Sequence, residues 1–396
     1  MKSFAIVLVC YSRLNGLKRL LSSLEKVDYD HRDDIYLIFS IDNSGSDEVL
    51  NFAKMYQWNF GEKRIRTFEK RQGLKQHILQ CGEFTKDYDV VVVLEDDIYV
   101  SDSMYYYAYQ ASQFYEYDDR VAGISLYSFQ KNWLKWLARF EPQRSKYDVF
   151  FMKIAQSWGQ VWTQKKWDEF MLWLNKNSNF TIDDTLPQAL NQWPESSWLK
   201  FHDKYCIKTG KYFVYPYTSV STNCSDAGEH NSKSVTDHQV ELMYGKNKYS
   251  FLKFSSEAIL YDEFMEREGM GKYLGVSDAD LTVTLWGTKP KCVYKRYVLT
   301  LDDLPYKCIN RFGLSLRPIE LNVIKNYKGQ EIKLYDTKYT SDSKTKYKCN
   351  DYVRYKYSIR SSDYKTLFTF STKMLSNIYI DIKRKIHQLK MKIIAE

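Results

Sequence analysis

The stretch Asp89-Val90-Val91-Val92-Val93-Leu94-Glu95-Asp96-Asp97-Ile98-Tyr99-Val100 constrains the fold more than any other part of the chain. Val90 to Leu94 are apolar and mostly β-branched without alternation, the pattern of a strand buried on both faces of a parallel sheet. Such a strand lies inside an α/β domain. An unpaired buried charge costs several kcal/mol, so Glu95, Asp96 and Asp97 belong at the strand's carboxyl end. In open α/β sheets that edge binds ligands. Two readings of the acids stand side by side. They suit a hard divalent cation that also grips a substrate's phosphates, or they form an acidic turn capping the helix after Ser101 and Asp102.

The chain around this strand alternates. Phe4 to Val9 reads as a first buried strand, followed by the turn Tyr11-Ser12-Arg13-Leu14-Asn15-Gly16 and a helix with Leu17, Leu20, Leu21 and Leu24 on one face. Ile35 to Ile41 is a second strand, and Asp42-Asn43-Ser44-Gly45-Ser46 is turn chemistry before a helix near Asp47 to Met55. A weaker third strand near Ile65 to Phe68 precedes Arg71-Gln72-Gly73-Leu74 and a helix through Cys81. Right-handed crossovers then bring Asp42, Arg71 and the three acids to one sheet edge. There Asp42 can accept from a nucleoside and Arg71 can meet phosphate, although a lone residue of either kind is more often a cap or a solvated charge.

Further on, Met104 to Tyr117 reads as a helix, Val121 to Ser125 as a strand and Phe129 to Tyr147 as a loop over the edge. Ser157 to Trp162 precedes a helix carrying Trp167, Phe170, Met171 and Leu174. A later helix opens at Trp193 to Asp203, and Tyr212 to Pro216 is a strand. The tryptophans offer stacking faces for a pyranose, with a core or lid role as the alternative. Ser225 to His230 is a turn carrying a histidine, a common metal ligand.

The whole chain has 396 residues, 44% of them hydrophobic, which is ample for two or three domains. A net charge of +9 admits nucleic acid, an anionic membrane or phosphorylated substrates as partners, and the absence of any nucleic-acid module argues against the first. Seven scattered cysteines fit free thiols in a reducing, cytoplasmic compartment. The run Phe4 to Cys10 is too short for a signal sequence, and no segment reaches the roughly 20 apolar residues of a membrane span.

Beyond about Leu252 the composition shifts to Lys, Tyr and β-branched residues, with strand-like Cys292 to Leu299 and Tyr347 to Tyr355. The end is amphipathic: Leu375, Ile378, Tyr379, Ile382, Ile386, Leu389 and Ile393 recur at helical steps, with lysines and Arg384 between them. A basic helix of this kind lies on an anionic membrane surface or docks on protein. The expected organisation is a main α/β domain over 1–250 with a division near 125. An accessory α+β region follows over 251–370 and a basic amphipathic helix over 371–396.

Taken in order, Val7 to Arg13, Ser40 to Gly45, Gly73-Leu74, Leu94 to Asp97, Ser157-Trp158-Gly159 and Gly228-Glu229-His230 resemble bacterial glycosyltransferases of the GT-A fold. These belong to the inverting family two, and the animal N-acetylglucosaminyltransferase that starts complex N-glycans is similar. The resemblance spans roughly residues 1 to 245. It implies a Rossmann-like, mostly parallel sheet flanked by helices. It also implies transfer of a sugar from a nucleotide-sugar, expected to be a UDP-sugar, to a glycan or glycolipid in surface polysaccharide synthesis. Asp97 then holds Mn2+ or Mg2+ with His230, while Tyr11, Arg13, Asp42, Arg71, Glu95 and Asp96 contact the donor and Trp158, Gly159 and Trp198 the acceptor.

Where those relatives carry an acid after the tryptophan of the late helix, this chain has Leu199 and Lys200. Glu195 and Asp203 are the substitutes for the general base, Glu195 first. The missing acid keeps open an inactive sugar-binding or assembly subunit. A sugar-phosphate nucleotidyltransferase ranks lower, because Tyr11 to Gly16 holds one glycine where a phosphate-cradling loop needs several.

Overall fold

The computed structural model describes residues 2–135, 138–226, 235–255, 257–341 and 346–359, with positions 371, 372, 375, 379, 382 and 383. Its first part alternates as expected: β1 (Phe4–Cys10), α1 (Leu14–Leu24), β2 (Ile35–Ile41), α2 (Glu48–Met55), β3 (Lys63–Thr67), α3 (Leu74–Gly82) and β4 (Val90–Glu95). Next come β5 (Ile98–Val100), α4 (Met104–Tyr115), β6 (Val121–Ser125), β7 (Val149–Met152), β8 (Gln160–Trp162), α5 (Gln164–Lys176), α6 (Gln188–Gln192), α7 (Trp198–Thr209), β9 (Tyr212–Pro216) and β10 (Ser221–Asn223). The remainder holds β11 (Leu260–Tyr261), α8 (Gly271–Leu274), β12 (Leu281–Thr284), β13 (Tyr297–Thr300), β14 (Tyr306–Phe312), α9 (Leu321–Ile324), β15 (Ile332–Thr340) and α10 (Asp351–Ile359).

Among the described residues the main sheet has nine strands in the order β11-β7-β9-β6-β8-β4-β1-β2-β3. β1 to β4 are parallel, β8 runs against both β4 and β6, and β9 is parallel to β6. The carboxyl ends of β1 to β4, β6 and β9 therefore share one edge. β7 runs against β9, with β11 parallel to β7, so these two strands begin at that same edge.

The unbroken apolar runs have the expected cause. Val90, Val92 and Leu94 of β4 join one core with Leu17, Leu20, Met104 and Tyr107, whereas Val91 and Val93 join a second core with Ile78, Cys81, Trp167 and Phe170. Helices thus cover both faces, and neither face tolerates a charge.

The C-terminal part forms a four-stranded sheet, β12-β13-β15-β14, with its own core of Leu281, Val283, Leu299, Phe312, Ile332 and Leu334. Its strand near Cys292 to Leu299 starts later than expected, at Tyr297, after a 3-10 turn over Lys291–Val293. The main sheet also reaches past residue 250, because β11 forms its edge.

Tyr347 to Tyr355 is a larger departure: its second half is helical, as α10, and not a strand. Its tyrosines and valine favour a strand, but tertiary polar contacts decide. Arg354 is buried, with its guanidinium donating to Asp302 at 2.7 Å and to the Leu285 carbonyl at 2.7 Å. Asn350 donates to the same Asp302 and to the Leu301 carbonyl. Gly287, at φ 69°, leaves room for that guanidinium, since a Cβ there would sit 2.7 Å from Arg354 Cζ. The terminal amphipathic helix lies mostly outside the described residues. All seven cysteines are free thiols, and no helix of the described residues is long and apolar enough to cross a membrane.

Arg354→Met should lower stability by about 3–5 kcal/mol, because it leaves Asp302 as a buried, unpaired charge. Chemical denaturation checks this, and adding Asp302→Asn should recover much of the loss.

Candidate active site

β4 delivers the acids to the edge, and the next residues hold them there. Directly after Asp97, β5 pairs antiparallel with β10, and the Cys224 N–H donates to the Asp97 carbonyl at 2.8 Å. The acids therefore form the turn of a fixed structure. They do not cap a helix: α4 begins at Met104, beyond β5.

Arg13, in the β1–α1 turn, faces them. Its guanidinium donates to Asp97 Oδ2 at 3.2 Å and pairs with Asp96 Oδ1. Gly16 lets α1 come this close, since a Cβ there would lie 2.7 Å from the Asp96 carbonyl oxygen. Nearby, Arg19 pairs with Asp226. One guanidinium is thus set against three carboxyl groups. Burial first, then Asp97 and Asp96, push the Glu95 carboxyl up to about 8, with Arg13 opposing. Burial likewise raises Asp96 to about 6 against the pull of Arg13. Asp97 Oδ1 is buried with no hydrogen-bond partner among the described residues.

A second wall comes from β2 and the β3–α3 loop. Asp42, 4% exposed, accepts from the backbone N–H groups of Asn43, Gln72 and Gly73 at 2.7 to 2.9 Å. Its carboxylate is thus occupied in shaping the loop that carries Arg71. The Arg71 guanidinium lies over the Tyr11 ring at 5.2 Å. Tyr11, Arg13, Asp42, Arg71, Glu95, Asp96 and Asp97 all sit on the edge that the alternation predicted.

Trp158 and Gly159 reach the same edge from the segment before β8. Gly159, at φ 99°, packs its α-carbon against Leu126, where a Cβ would be 3.0 Å away. The half-buried Trp158 ring lies 4.5 Å from His238. Burial lowers the His238 imidazole, while Asp237 and Asp97 pull it up. No local sequence pattern marks His238, and His230 of the expected Gly-Glu-His turn lies outside the described residues.

Two expected residues are placed differently. Trp198 is 4% exposed and packs edge-on to Trp162 at 6.0 Å, so its ring belongs to the core and offers no face to an acceptor. Asp203, 1% exposed, accepts from the Ala155 N–H at 2.6 Å, and burial holds its carboxyl well above the usual range. It is closed to an acceptor hydroxyl. Glu195 is exposed on the turn before α7, and its carbonyl accepts from Lys75 Nζ at 3.1 Å. Lys200, where an acid was expected, turns back to donate to the Trp193 carbonyl at 2.6 Å.

Residues 5–177, the stretch from β1 through β8 and α5, match the model of the family described as glycosyl transferase family 2. No curated protein matches the chain significantly. Among solved structures, the mannosyltransferase PcManGT from Pyrobaculum calidifontis, in complex with GDP-Man and Mn2+, is 11% identical with a TM-score of 0.34. The alignment covers 54% of this chain and 55% of that one. S. aureus TarS 1-349 in complex with UDP-GlcNAc is 14% identical with a TM-score of 0.37, covering 58% and 60%. GalNAc-T7 with UDP, GalNAc and Mn2+ is 13% identical with a TM-score of 0.36, covering 55% and 43%. The chain spans less than two thirds of each of these structures. The domain match and the mixed, mostly parallel sheet agree with the GT-A fold.

The raised Glu95 carboxyl gives a pH test. The folded chain keeps this proton while the unfolded chain loses it near 4.3, so stability falls as pH rises from there through about 8. In EDTA, the stability of Glu95→Gln relative to the unsubstituted protein should climb between pH 5 and 8 and level off above. Urea midpoints across that range measure it.

Proposed function

We propose that this chain is a metal-dependent, inverting glycosyltransferase that moves a sugar from a UDP-sugar to a hydroxyl of a glycan or glycolipid acceptor in bacterial surface polysaccharide synthesis. The observation that carries the reading is the orphaned oxygen of Asp97 inside an under-neutralised carboxylate cluster, in a domain that matches the family.

The residues fit a divalent cation. A hard ion can take one or two protein carboxylates and complete its shell with phosphate and water. That accords with the finding that no group of three or more His, Cys, Asp or Glu side chains poised for a metal occurs among the described residues. Asp97 would hold Mn2+ or Mg2+, with His230 and His238 as further candidates. When bound, the cation supplies positive charge to the departing nucleoside diphosphate.

The chain's own groups do the rest. Arg13 presents a guanidinium to the same phosphates, a charge placed where the leaving group gains it. Arg71 over Tyr11 offers a cation and a ring at the nucleoside end, and Asp42 fixes the loop on which Arg71 stands. Glu95 and Asp96 contact the donor. Trp158 gives the acceptor sugar an aromatic face at the Gly159 turn. Glu195 takes the proton of the attacking hydroxyl, and Asp203, through Ala155, positions the segment that leads to Trp158. The basic pattern over 371–396 supports peripheral contact with the cytoplasmic face of the inner membrane.

The Lys200 contact with Trp193 favours one second reading, a sugar-binding subunit without catalysis. A panel of UDP-, GDP- and CMP-sugars with Mn2+ separates the two, since donor hydrolysis is expected of a transferase and absent from a binder. Asp97→Ala should abolish Mn2+-dependent nucleotide binding in a thermal-shift assay, and unchanged binding would displace the site from β4. Glu195→Gln should lower kcat by roughly 10^2 to 10^4 while leaving nucleotide binding intact.

A further inference from the structure

The carboxyl edge of the main sheet carries a second concavity, between residues 143–147 ahead of β7 and residues 257–273 around β11 and α8. It has a volume of about 360 Å3. It lies four to five strands from β4 in the sheet order, roughly 20–24 Å at the usual strand spacing. None of the residues assigned above lines it.

Its walls are fixed. The Gln143 N–H donates to Tyr261 Oη at 2.8 Å, its carbonyl accepts from Tyr217 Oη at 2.7 Å, and its side-chain oxygen accepts from Arg267 Nε at 3.4 Å. At the other end of the loop, the Asp148 carboxylate accepts from Lys246 Nζ at 2.6 Å and the Ser250 N–H at 2.7 Å. Between these anchors Arg144 and Lys146 point outward, and both are exposed.

The charges in the groove are unusually available. Arg144 lies over the Tyr217 ring at 4.8 Å, Lys146 over Tyr147 at 5.2 Å and Lys272 over Tyr273 at 5.1 Å. Among the described residues, none of the three forms an ion pair with an acid, and Glu257 is the one carboxylate in the lining. A cation resting on a ring keeps its charge free for an incoming anion. The half-buried Tyr147 and the exposed Tyr273 add apolar faces of the kind on which sugar rings stack. Fixed backbone and concavity favour a narrow chain over the broad, flat surface of a membrane.

We propose that this groove binds an acidic sugar chain, a carboxylate-bearing oligosaccharide, as the distal part of the acceptor. Its role as an acceptor subsite rests on the transferase reading; the binding itself does not. Several sugar rings span the distance to the acids, so the groove would select chains already extended and of like charge.

Calorimetric titration of the full chain with tetragalacturonate, and with maltotetraose as the neutral control, tests this. Tetragalacturonate should bind with an affinity that falls as salt rises, and maltotetraose should bind at least tenfold more weakly. The triple variant R144Q/K146Q/K272Q should lose tetragalacturonate affinity at least tenfold while keeping its Tm and its UDP–Mn2+ binding. Equal tetragalacturonate binding by the triple variant, or equal binding of the neutral chain, overturns the proposal. So does capture of phosphatidylglycerol vesicles through the same three residues without tetragalacturonate binding, which would assign the groove to a membrane. Tetragalacturonate binding that needs these residues in a chain that binds no nucleotide would sustain the groove and overturn the transferase reading.

Discussion

The cost of burying Glu95, Asp96 and Asp97 together, at the end of a strand that is buried on both faces, governs the structure around it. The two cores on either side of β4 give the acids no exit, and β5 with β10 ties down the far side of their turn. What remains is a shared guanidinium from Arg13, reached only because Gly16 allows α1 to approach. This arrangement keeps charge under tension in the folded state. A protein selected for stability alone would replace these acids with apolar or singly paired groups.

The wall opposite the acids follows a different logic. Asp42 also belongs to the sheet edge, but its carboxylate is fully engaged by backbone donors, so it carries shape where the triplet carries unspent charge. The same contrast separates Glu195, exposed on a turn, from Asp203, sealed inside the core eight residues later. Identical chemistry in the side chain leads to different work, and burial decides which.

Much of the first half of the main sheet is legible because parallel strands covered on both faces write themselves as continuous apolar runs. β1, β2 and β4 were read almost to the residue, and their order alone brought Asp42, Arg71 and the acids to one edge. Short strands carry no such signature: β8, β10 and β11 hold two or three residues each and exist through their partners. α10 departs from the strand that its local pattern suggests, because Arg354 and Asn350 contact residues some fifty positions away. His238 was missed for a related reason. Its placement comes from the Trp158 ring lying against it, which no local pattern announces. Trp198 shows the converse, since a tryptophan at a helix start reads equally as platform or core until packing chooses.

The edge strand β11 also bears on how such chains diversify. Tyr261, at its end, donates to Glu320 of the C-terminal part and accepts from Gln143 of the main sheet's edge loop. A recombination break at the compositional border near residue 250 would separate that tyrosine from Gln143, and one between 268 and 320 would separate it from Glu320. The inheritable module therefore ends after the 260–268 turn, and a new C-terminal part could be grafted onto this sheet only if it supplied a replacement for Glu320.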